Sequence, residues 1–402
     1  MTVDLSDSMR ASEEAILESL NQAGSLVTTA ALEWFDTDGA KQVIGGERWY
    51  PKGQQPKQYQ TPYGVVSVDR YVYQRAAGGK TYCPLEGHAR MVGDTTPRFA
   101  RMIAHKYANG PAAQVQAHLT DNHGRQVARS YLSRVAETVA AVAQIKEEDW
   151  TYQTPELDAP VANVAVGLDG WREAMTGTVS LYSPQGKRLH TIYLGAAPEY
   201  GKEAFYRSLE REVAHVRETY PEARYVGIAD GDHGNWSFLE EKAQVSETIL
   251  DFYHAAGYVG QAAAAARPTD SLGRGEWTEA QCHRLKHEEG AARQLLAELQ
   301  TLTDQPLHDD ARKGLKSSIT YFRNHHDKMD YARYQAENLS IGSGVTEAAC
   351  KTVIKQRLCQ AGMRWKTRGA RAVLSLRSLV LTENRWSQFW DKVSQYAVPA
   401  VA

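Results

Sequence analysis

The stretch Ile341-Gly-Ser-Gly-Val-Thr-Glu-Ala-Ala-Cys-Lys351 is a glycine-rich turn followed by the start of a helix. Ser343 is available as a helix cap, and Glu347 lies in the first turns. From Ala348 to Thr382 the chain has no Asp or Glu and eight Lys and Arg residues. A helix start favours an anion such as phosphate, and the basic tract behind it suits a polyanion. The alternative is that Glu347 only pairs with Lys351 at i,i+4 spacing, which would contribute ~0.2–0.5 kcal/mol.

The rest of the chain has the composition of an ordinary globular protein. Its 402 residues are enough for two or three domains, and no apolar run approaches the ~18–20 residues that span a bilayer. The N-terminus lacks the basic-then-apolar order of a signal peptide. The four cysteines are scattered and form no C-x-x-C pair. We therefore expect no membrane association, reduced thiols and a cytoplasmic location.

The formal net charge is −2, but the charges are unevenly distributed along the chain. Acidic residues collect in 1–38, 199–222 and 276–310, whereas basic residues dominate 41–135 and 348–377. The small net charge therefore does not exclude a nucleic-acid partner, since separate basic segments can bind a polyanion.

The N-terminal region has the pattern of a helical domain with a few strands. Residues 8–36 show helical spacing, 48–51 and 63–73 read as short strands, and 96–140 read as helices. Within 111–139, a polar turn at Asp121–Gly124 separates two helices in a helix-turn-helix layout, which also occurs in helical domains without a DNA role. Its exposed, DNA-facing set would be Arg125, Gln126, Arg129, Ser130 and Arg134.

The middle of the chain predicts an α/β domain. From residue 161 the elements follow the order strand, strand, strand, helix, strand, helix, strand, helix, with a hairpin at Ser183-Pro-Gln-Gly186. A mixed sheet with an antiparallel hairpin at one edge accommodates this order. Residues 259–336 predict a separable all-helical insertion, and 345–392 predict two helices that return to the core.

Three predicted strands each end on a carboxylate: Asp169, Asp230 and Asp251. A single Asp after a strand is commonly a turn residue. Three such residues together with Glu347 suggest one cluster, because ligands gather at strand ends in α/β sheets. Two carboxylates ~5 Å apart would repel by ~3 kcal/mol at an effective dielectric of ~20. Mg²⁺ or Mn²⁺ ions are natural partners of such oxygen ligands, and a pair of them catalyses attack on phosphodiesters.

The same residues carry a family resemblance. The motifs Val-Gly-Leu-Asp169-Gly, Ile-Ala-Asp230-Gly-Asp-His-Gly-Asn-Trp236, Ile-Leu-Asp251-Phe-Tyr-His254 and Gly-Ser-Gly-Val-Thr-Glu347 resemble those of DDE transposases of bacterial insertion sequences. They are similar to the group with a Mutator-like Asp-x-x-His signature. The resemblance implies an α/β (α+β overall) protein with a ribonuclease-H-like core, interrupted by a helical insertion before the last acid.

The resemblance also implies a division of the chain into functional parts. Residues 1–155 would bind DNA, with the helix-turn-helix near 111–139. Residues 156–258 and 341–392 would form the catalytic core around an insertion at 259–340, and 393–402 would be a tail. The expected partners are double-stranded DNA (element ends and target) and further copies of the chain as a homo-oligomer on DNA, in a nucleoid-associated location.

Individual roles follow from the motif positions. Asp169, Asp230 and Glu347 would be catalytic and would hold two Mg²⁺ or Mn²⁺ ions, with Asp251 and His254 in support. Asp232 follows so closely that either Asp230 or Asp232 could be the second ligand. The DNA-binding set would be Arg125, Arg129, Arg134, Lys351, Lys355, Arg357, Arg364, Trp365, Lys366 and Arg368.

Two other functions fit parts of this pattern. A catalytically inactive, transposase-derived DNA-binding protein would keep the basic segments without the reaction. A glycosidase-type hydrolase would use paired acids but would need one of them protonated and no metal.

Overall fold

A computed structural model of the chain describes residues 8–171, 174–197 and 202–396. The chain divides into two compact units. The first is drawn from Met1–Gln153, Arg364–Val380 and Asn384–Ala402, and the second from Thr154–Met363 and Leu381–Glu383. The division differs from the predicted one, since most of the basic C-terminal helix region belongs to the first unit. Of the predicted tail 393–402, residues 393–396 are helical and 397–402 lie outside the described residues, as does Glu199 of the acidic segment 199–222.

The first unit combines helices with a three-stranded antiparallel sheet of order β1-β2-β3. Its strands are β1 (Gln42–Ile44), β2 (Glu47–Gln60) and β3 (Val65–Arg75). Its N-terminal helices are α1 (Met9–Trp34), α2 (Pro84–His88), α3 (Pro97–Asn109), α4 (Ala112–His123) and α5 (Arg129–Ile145). The alternation of buried Val66 and Val68 with exposed neighbours directs one face of β3 into a small core with Leu32 of α1.

The predicted helix-turn-helix has different bounds in the structure. Helix α4 continues to His123, and Gly124 ends it in the left-handed conformation at φ 61°. Residues 124–128 form the turn, so α5 begins at Arg129 instead of Arg125. Arg125 is buried: its guanidinium donates hydrogen bonds to the Thr61 carbonyl at 3.2 Å and Gln60 Oε1 at 2.7 Å. The expectation that Arg125 is exposed is therefore wrong.

The second unit contains a five-stranded mixed sheet, as predicted. Its strands are β4 (Asn163–Trp171), β5 (Ala174–Tyr182), β6 (Arg188–Ala196), β7 (Arg224–Ala229) and β8 (Glu247–Leu250). Their order is β6-β5-β4-β7-β8. The β4–β5 and β5–β6 pairs are antiparallel, whereas β4–β7 and β7–β8 are parallel. The antiparallel hairpin thus occupies one edge and the parallel strands the other.

Further helices complete the chain, and the last two of them belong mainly to the first unit. They are α6 (Glu203–Thr219), α7 (His233–Ser237), α8 (Phe252–Ala266), α9 (Gly273–His287), α10 (Ala291–Thr301), α11 (Asp309–His325), α12 (Tyr331–Ala336), α13 (Gly344–Ala349), α14 (Gln356–Leu358), α15 (Thr367–Leu381) and α16 (Arg385–Tyr396). Single π-helical turns follow α7 at Phe238–Lys242 and α13 at Cys350–Lys355. Helix α6 buries one apolar face, which consists of Phe205, Leu209, Val213 and Val216 at helical spacing.

Residues 259–336 are helical as predicted, but they share the core of the sheet. Leu285, Leu315 and Phe322 belong to the same buried cluster as Val166 and Ile228. On α11, the Ser318 hydroxyl donates a hydrogen bond to the Tyr258 carbonyl of α8 at 2.7 Å. The packing therefore does not support a separable insertion, because removing these helices would uncover apolar faces. Every helix within the described residues is too short or too polar to cross a bilayer.

Candidate active site

Three acids lie at equivalent positions, just beyond the point where the parallel pairing of neighbouring strands ends. Gly167 of β4 pairs with Ile228 of β7, and Asp169 and Asp230 each follow two residues later. Ala229 in turn pairs with Leu250 of β8, which directly precedes Asp251. Since adjacent strands lie ~4.8 Å apart, this register brings the three backbones together at one edge of the sheet.

Asp169 is anchored within its own strand. It is paired with Thr176 inside β4, which continues to Trp171, whereas the sequence predicted that the strand would end at Asp169. Its Oδ1 accepts a hydrogen bond from the Gly170 N–H at 2.6 Å. Burial raises the pKa of the Cys350 thiol to about 12, and the nearby Asp169 carboxylate, to which the thiol is hydrogen-bonded, adds to this shift. Cys350 is therefore a neutral donor that orients Asp169.

Asp230 is positioned by the turn that links β7 to α7. Gly231 adopts φ 109°, which strongly favours glycine, and allows the chain to reverse directly after Asp230. The Asp230 Oδ1 accepts hydrogen bonds from the Asp232 N–H at 3.2 Å and from Asn235 Nδ2 at 3.4 Å. The Tyr321 hydroxyl of α11 donates to the Asp230 carbonyl at 2.9 Å. A helix of the predicted insertion thus supports a predicted catalytic residue.

Asp230 and Asp232 have different roles in the structure. The Asp232 carboxylate caps α7, accepting hydrogen bonds from the backbone N–H groups of Gly234 at 2.8 Å and Asn235 at 3.3 Å. Asp230 lines the site cavity described below. Asp232 therefore has a sufficient structural role as an N-cap, and Asp230 is the better candidate for a ligand.

Asp251 is buried and connects two elements of the site. It caps α8, and its Oδ1 accepts from the His254 N–H at 2.8 Å and lies 3.2 Å from His254 Nδ1. Its Oδ2 accepts from the Ser343 N–H. Burial opposes ionisation, but the hydrogen bonds from His254 and Ser343 outweigh it and lower the pKa of Asp251 to about 2.

His254 lies between two carboxylates. Its hydrogen bond to Asp251 raises its pKa above the ordinary value, and burial partly offsets that shift. Its Nδ1 is also 4.0 Å from Glu347 Oε1. An imidazole that is hydrogen-bonded to a carboxylate in this way can supply a positive charge or a hydrogen-bond donor to the site.

Glu347 is held by the turn that precedes its helix. The Ser343 hydroxyl donates to Glu347 Oε1 at 2.8 Å, and the Glu347 N–H donates to the Ser343 carbonyl at 2.9 Å. Ser343 therefore holds the Glu347 carboxylate and does not cap the helix backbone with its side chain. Within the described part of the chain, no ion pair joins Glu347 to Lys351, so the simple i,i+4 alternative does not describe this residue.

Most of these side chains line one cavity of about 750 Å³. The three predicted catalytic acids line it together with His254 and two lysines of the following turn. Its lining is Leu168, Asp169, Asp230, His254, Ser343, Thr346, Glu347, Lys351, Lys355 and Gln356. Residues separated by 178 positions in the chain, from Asp169 to Glu347, therefore meet in one place.

Helix α13 approaches the sheet closely because β4 has a glycine beneath it. A Cβ added at Gly167 would lie 2.1 Å from Thr346 Oγ1 and 3.2 Å from Thr178 Oγ1. The two threonine hydroxyls are buried and hydrogen-bonded to each other at 2.8 Å. Glu347 is the next residue after Thr346, so this contact sets how near the third acid comes to β4. The resemblance covered Glu347 but not this packing.

The sequence analysis also missed the pairing of Lys355 with Trp171. Lys355 Nζ lies 3.9 Å from the centroid of the Trp171 ring, which is two residues beyond Asp169. Lys355 ends the π-helical turn at Cys350–Lys355, and turns of this type recur at functional sites. A cation over an indole ring at the site rim can contact a phosphate or a stacked base.

The remaining predicted DNA-binding residues differ in exposure. Arg129, Arg134, Lys351, Arg364, Lys366 and Arg368 are exposed, and Lys355 and Trp365 are half-buried. Arg129 donates to Gln116 Oε1 at 2.9 Å, and Arg134 to Asp94 Oδ2 at 3.2 Å. Arg357 is only 1% exposed, so it is not available to DNA in this structure. The extra residue of the preceding π turn rotates later side chains by about 100°, which accounts for the wrong expectation.

Among the described residues, one group has ligand atoms close enough together to hold a metal ion. Ligand atoms of Asp251, His254 and Glu347 lie within 4.8 Å of one another. However, Asp251 is fully buried and both of its oxygens already accept hydrogen bonds. Asp169, Asp230 and Glu347 instead line the open cavity and offer the oxygen ligands that Mg²⁺ and Mn²⁺ prefer.

No known protein-family model matches this chain, and no curated protein sequence matches it.

Proposed function

We propose that this protein is a DDE-type transposase that cleaves DNA at the ends of an insertion sequence and joins them to a target. The proposal rests chiefly on one observation: Asp169, Asp230 and Glu347 line a single cavity together with Lys351 and Lys355. The mixed sheet, with its antiparallel hairpin at one edge and acids at the ends of the parallel strands, supports a ribonuclease-H-like core.

The chemistry of the cavity fits a divalent metal centre. Carboxylates that share one cavity repel when they approach, by ~3 kcal/mol for a pair ~5 Å apart at an effective dielectric of ~20. The repulsion is relieved by cations, and the open side of the cavity gives ions access. When bound, two Mg²⁺ or Mn²⁺ ions supply the Lewis-acid chemistry for phosphodiester cleavage and strand transfer. Asp169, Asp230 and Glu347 would hold them.

The surrounding residues keep these carboxylates in place. Cys350 orients Asp169, the Gly231 turn and Asn235 orient Asp230, and Ser343 orients Glu347. Preorganisation of this kind matters because misplacement of a reacting group by ~1 Å can cost ~100-fold in rate.

Other residues provide positive charge for the DNA. His254, with its raised pKa, and Lys351 and Lys355 line the cavity, where a phosphodiester would lie. Their charge would stabilise the additional negative charge that develops on the phosphate during attack. The same arrangement suits water as the first nucleophile and a DNA 3′-hydroxyl as the second, so no covalent protein–DNA intermediate is required.

The exposed basic residues supply the DNA contacts. We assign Arg129 and Arg134 of the helix-turn-helix, and Arg364, Lys366 and Arg368 before and within α15, to the DNA backbone, with Trp365 beside them. The partners are double-stranded element ends and target DNA, bound by a homo-oligomer in the bacterial nucleoid.

A nicking and joining assay tests this function. The purified chain is incubated with supercoiled DNA that carries the inverted repeats flanking its gene, with Mg²⁺, with Mn²⁺ and with EDTA. We expect metal-dependent cleavage at the repeat ends. Binding to the repeats without cleavage in either metal would instead support an inactive, transposase-derived DNA-binding protein.

A further inference from the structure

Helix α1 exposes its apolar side chains to solvent. Its exposed large apolar residues are Met9, Ile16, Leu20, Leu26, Val27 and Trp34. Trp34 is 80% exposed and Leu26 is 74% exposed. A surface helix of a globular protein normally turns its apolar stripe towards the core and its polar face to water. Helix α1 does the reverse over most of its length.

The side of α1 that packs on its own unit consists mostly of polar or small residues. Asn21 Nδ2 donates to the His123 carbonyl at 3.3 Å. Gly24 lies against the Tyr63 ring, where an added Cβ would be 2.4 Å from the nearest ring atom. Of the large apolar residues of α1, Leu32 is the one that is buried in the core of this unit. The helix is therefore held firmly with its apolar side outward.

The outward face has the spacing of a coiled-coil seam. Met9, Ile16, Ala23 and Ala30 recur every seven residues, and Glu13, Leu20, Val27 and Trp34 form a second set with the same period. The two sets alternate at intervals of four and three residues, as the d and a positions of a heptad do. All of these positions are exposed except Ala23, which is half-buried. The helix has 26 residues, or ~39 Å, which is nearly four heptads.

We propose that α1 pairs with α1 of a second copy of this chain as an antiparallel two-helix coiled coil. The midpoint of the seam lies between Asn21 and Gln22. Antiparallel pairing about that point places Met9 opposite Trp34 of the partner subunit. It also places Ile16 opposite Val27 of the partner subunit, and Leu20 opposite Ala23 of the partner subunit. In every layer of the seam, a d position of one chain then faces an a position of the other chain.

Charge and apolar surface area both favour antiparallel pairing of α1 with a second copy of the chain. A parallel pair in register would place Glu13 opposite Glu13 of the partner subunit, and facing like charges are destabilising. The antiparallel pair places Ala30 of the partner subunit there instead. Five of the six exposed large apolar side chains, all but Leu26, lie at these seam positions, so pairing would remove most of the exposed apolar surface of α1 from water.

The first test compares two variants by sedimentation equilibrium without DNA, so the result does not depend on the proposed function. Leu20→Glu places a carboxylate in the seam beside the two-fold axis, whereas Gln22→Glu adds the same charge to an exposed position outside it. The wild-type chain and Gln22→Glu should form dimers. Leu20→Glu should dissociate on the order of 100-fold more readily. A wild-type chain that stays monomeric, or a Leu20→Glu dimer as tight as wild type, would overturn the proposal.

The second test fixes the orientation and needs no destabilising change. In a Cys359→Ser background, which removes the exposed native thiol, Ile16→Cys and Val27→Cys are made singly and together. In the antiparallel pair, two copies of Cys at position 16 would be ~16 Å apart along the seam, too far for a disulfide. Only the double variant should therefore cross-link efficiently into dimers. Cross-linking of the single variants would show a parallel pair and contradict the proposed register.

Discussion

The carboxylate of Asp251, which is fully buried, accepts a hydrogen bond from the backbone N–H of Ser343, 92 residues later in the chain. This bond joins the end of β8 to the turn that begins α13. Because Ser343 also holds the Glu347 side chain, Asp251 fixes the position of the third proposed ligand without lining the cavity itself.

Asp251 should make stability depend on acid pH. Its pKa is about 2 in the folded protein and 3.8 when unperturbed, so its stabilising contribution is full above pH ~4 and is lost as the pH falls towards 2. The shift corresponds to about 2 kcal/mol. Asp251→Asn should lower the free energy of unfolding at pH 7 by about 1–3 kcal/mol and flatten its decline between about pH 4 and pH 2. Urea denaturation measures both, with the exposed Asp304→Asn as the control.

His254 should titrate above its ordinary range. Its pKa is raised, mainly by the hydrogen bond to Asp251, so the stability it contributes is full below pH ~6.5 and is lost as the pH rises through the folded pKa. NMR titration of the His254 ring should give a pKa above 6.5 in the wild-type chain and a lower value in Asp251→Asn. An unchanged His254 pKa in that variant would show that Asp251 is not its main partner.

Gly167 should be intolerant of a side chain. Gly167→Ala would push a methyl group against Thr346 Oγ1, so we expect a loss of roughly 1–3 kcal/mol in stability and a displaced α13. Gly257→Ala is a matched control, because that glycine lies within α8 and an added Cβ meets nothing within 4 Å. The control should be neutral or stabilising by about 0.5–1 kcal/mol. Thermal unfolding of both variants gives the comparison.

DNA affinity should depend on exposed basic residues. Neutralising Lys366 and Arg368 together should reduce the slope of log K against log salt by roughly two units, one for each lost phosphate contact. The exposed Lys242→Gln should leave the slope unchanged. Binding to element-end DNA across a salt series provides the measurement, and an unaltered slope in the double variant would exclude these residues from the DNA path.

Features that depend on local burial could be predicted from the sequence. β7 (Arg224–Ala229) ends directly before Asp230, close to the predicted strand end, because a short apolar run ending in Asp-Gly has few alternatives as a strand. The order of elements and the mixed sheet followed from the same periodicities. The acids that line the cavity came from the motif resemblance, since periodicity alone could not bring Asp169 and Glu347 together.

Features that depend on tertiary contacts could not be predicted from the sequence. Arg125 and Arg357 lie in basic segments but turn inward, one through contacts with the end of β2 and the other after a π-helical turn. The helical spacing of α1 showed which face is apolar, but not that this face points outward. The helices of 259–336 looked like an insertion because their charged faces dominate the composition, whereas their apolar faces complete the core.

The most direct test of the account is DNA cleavage by a pair of neighbouring Asp→Asn variants. Asp230 lines the cavity and Asp232 caps α7, so the same change is made two residues apart in different roles. With Mg²⁺ and element-end DNA, Asp230→Asn should abolish cleavage, as should Asp169→Asn and Glu347→Gln, while DNA binding is retained. Asp232→Asn should cleave and keep its stability within about 0.5 kcal/mol, because Asn caps a helix about as well as Asp does. Normal cleavage by Asp230→Asn or Glu347→Gln, with an inactive but folded Asp232→Asn, would contradict the proposed catalytic centre.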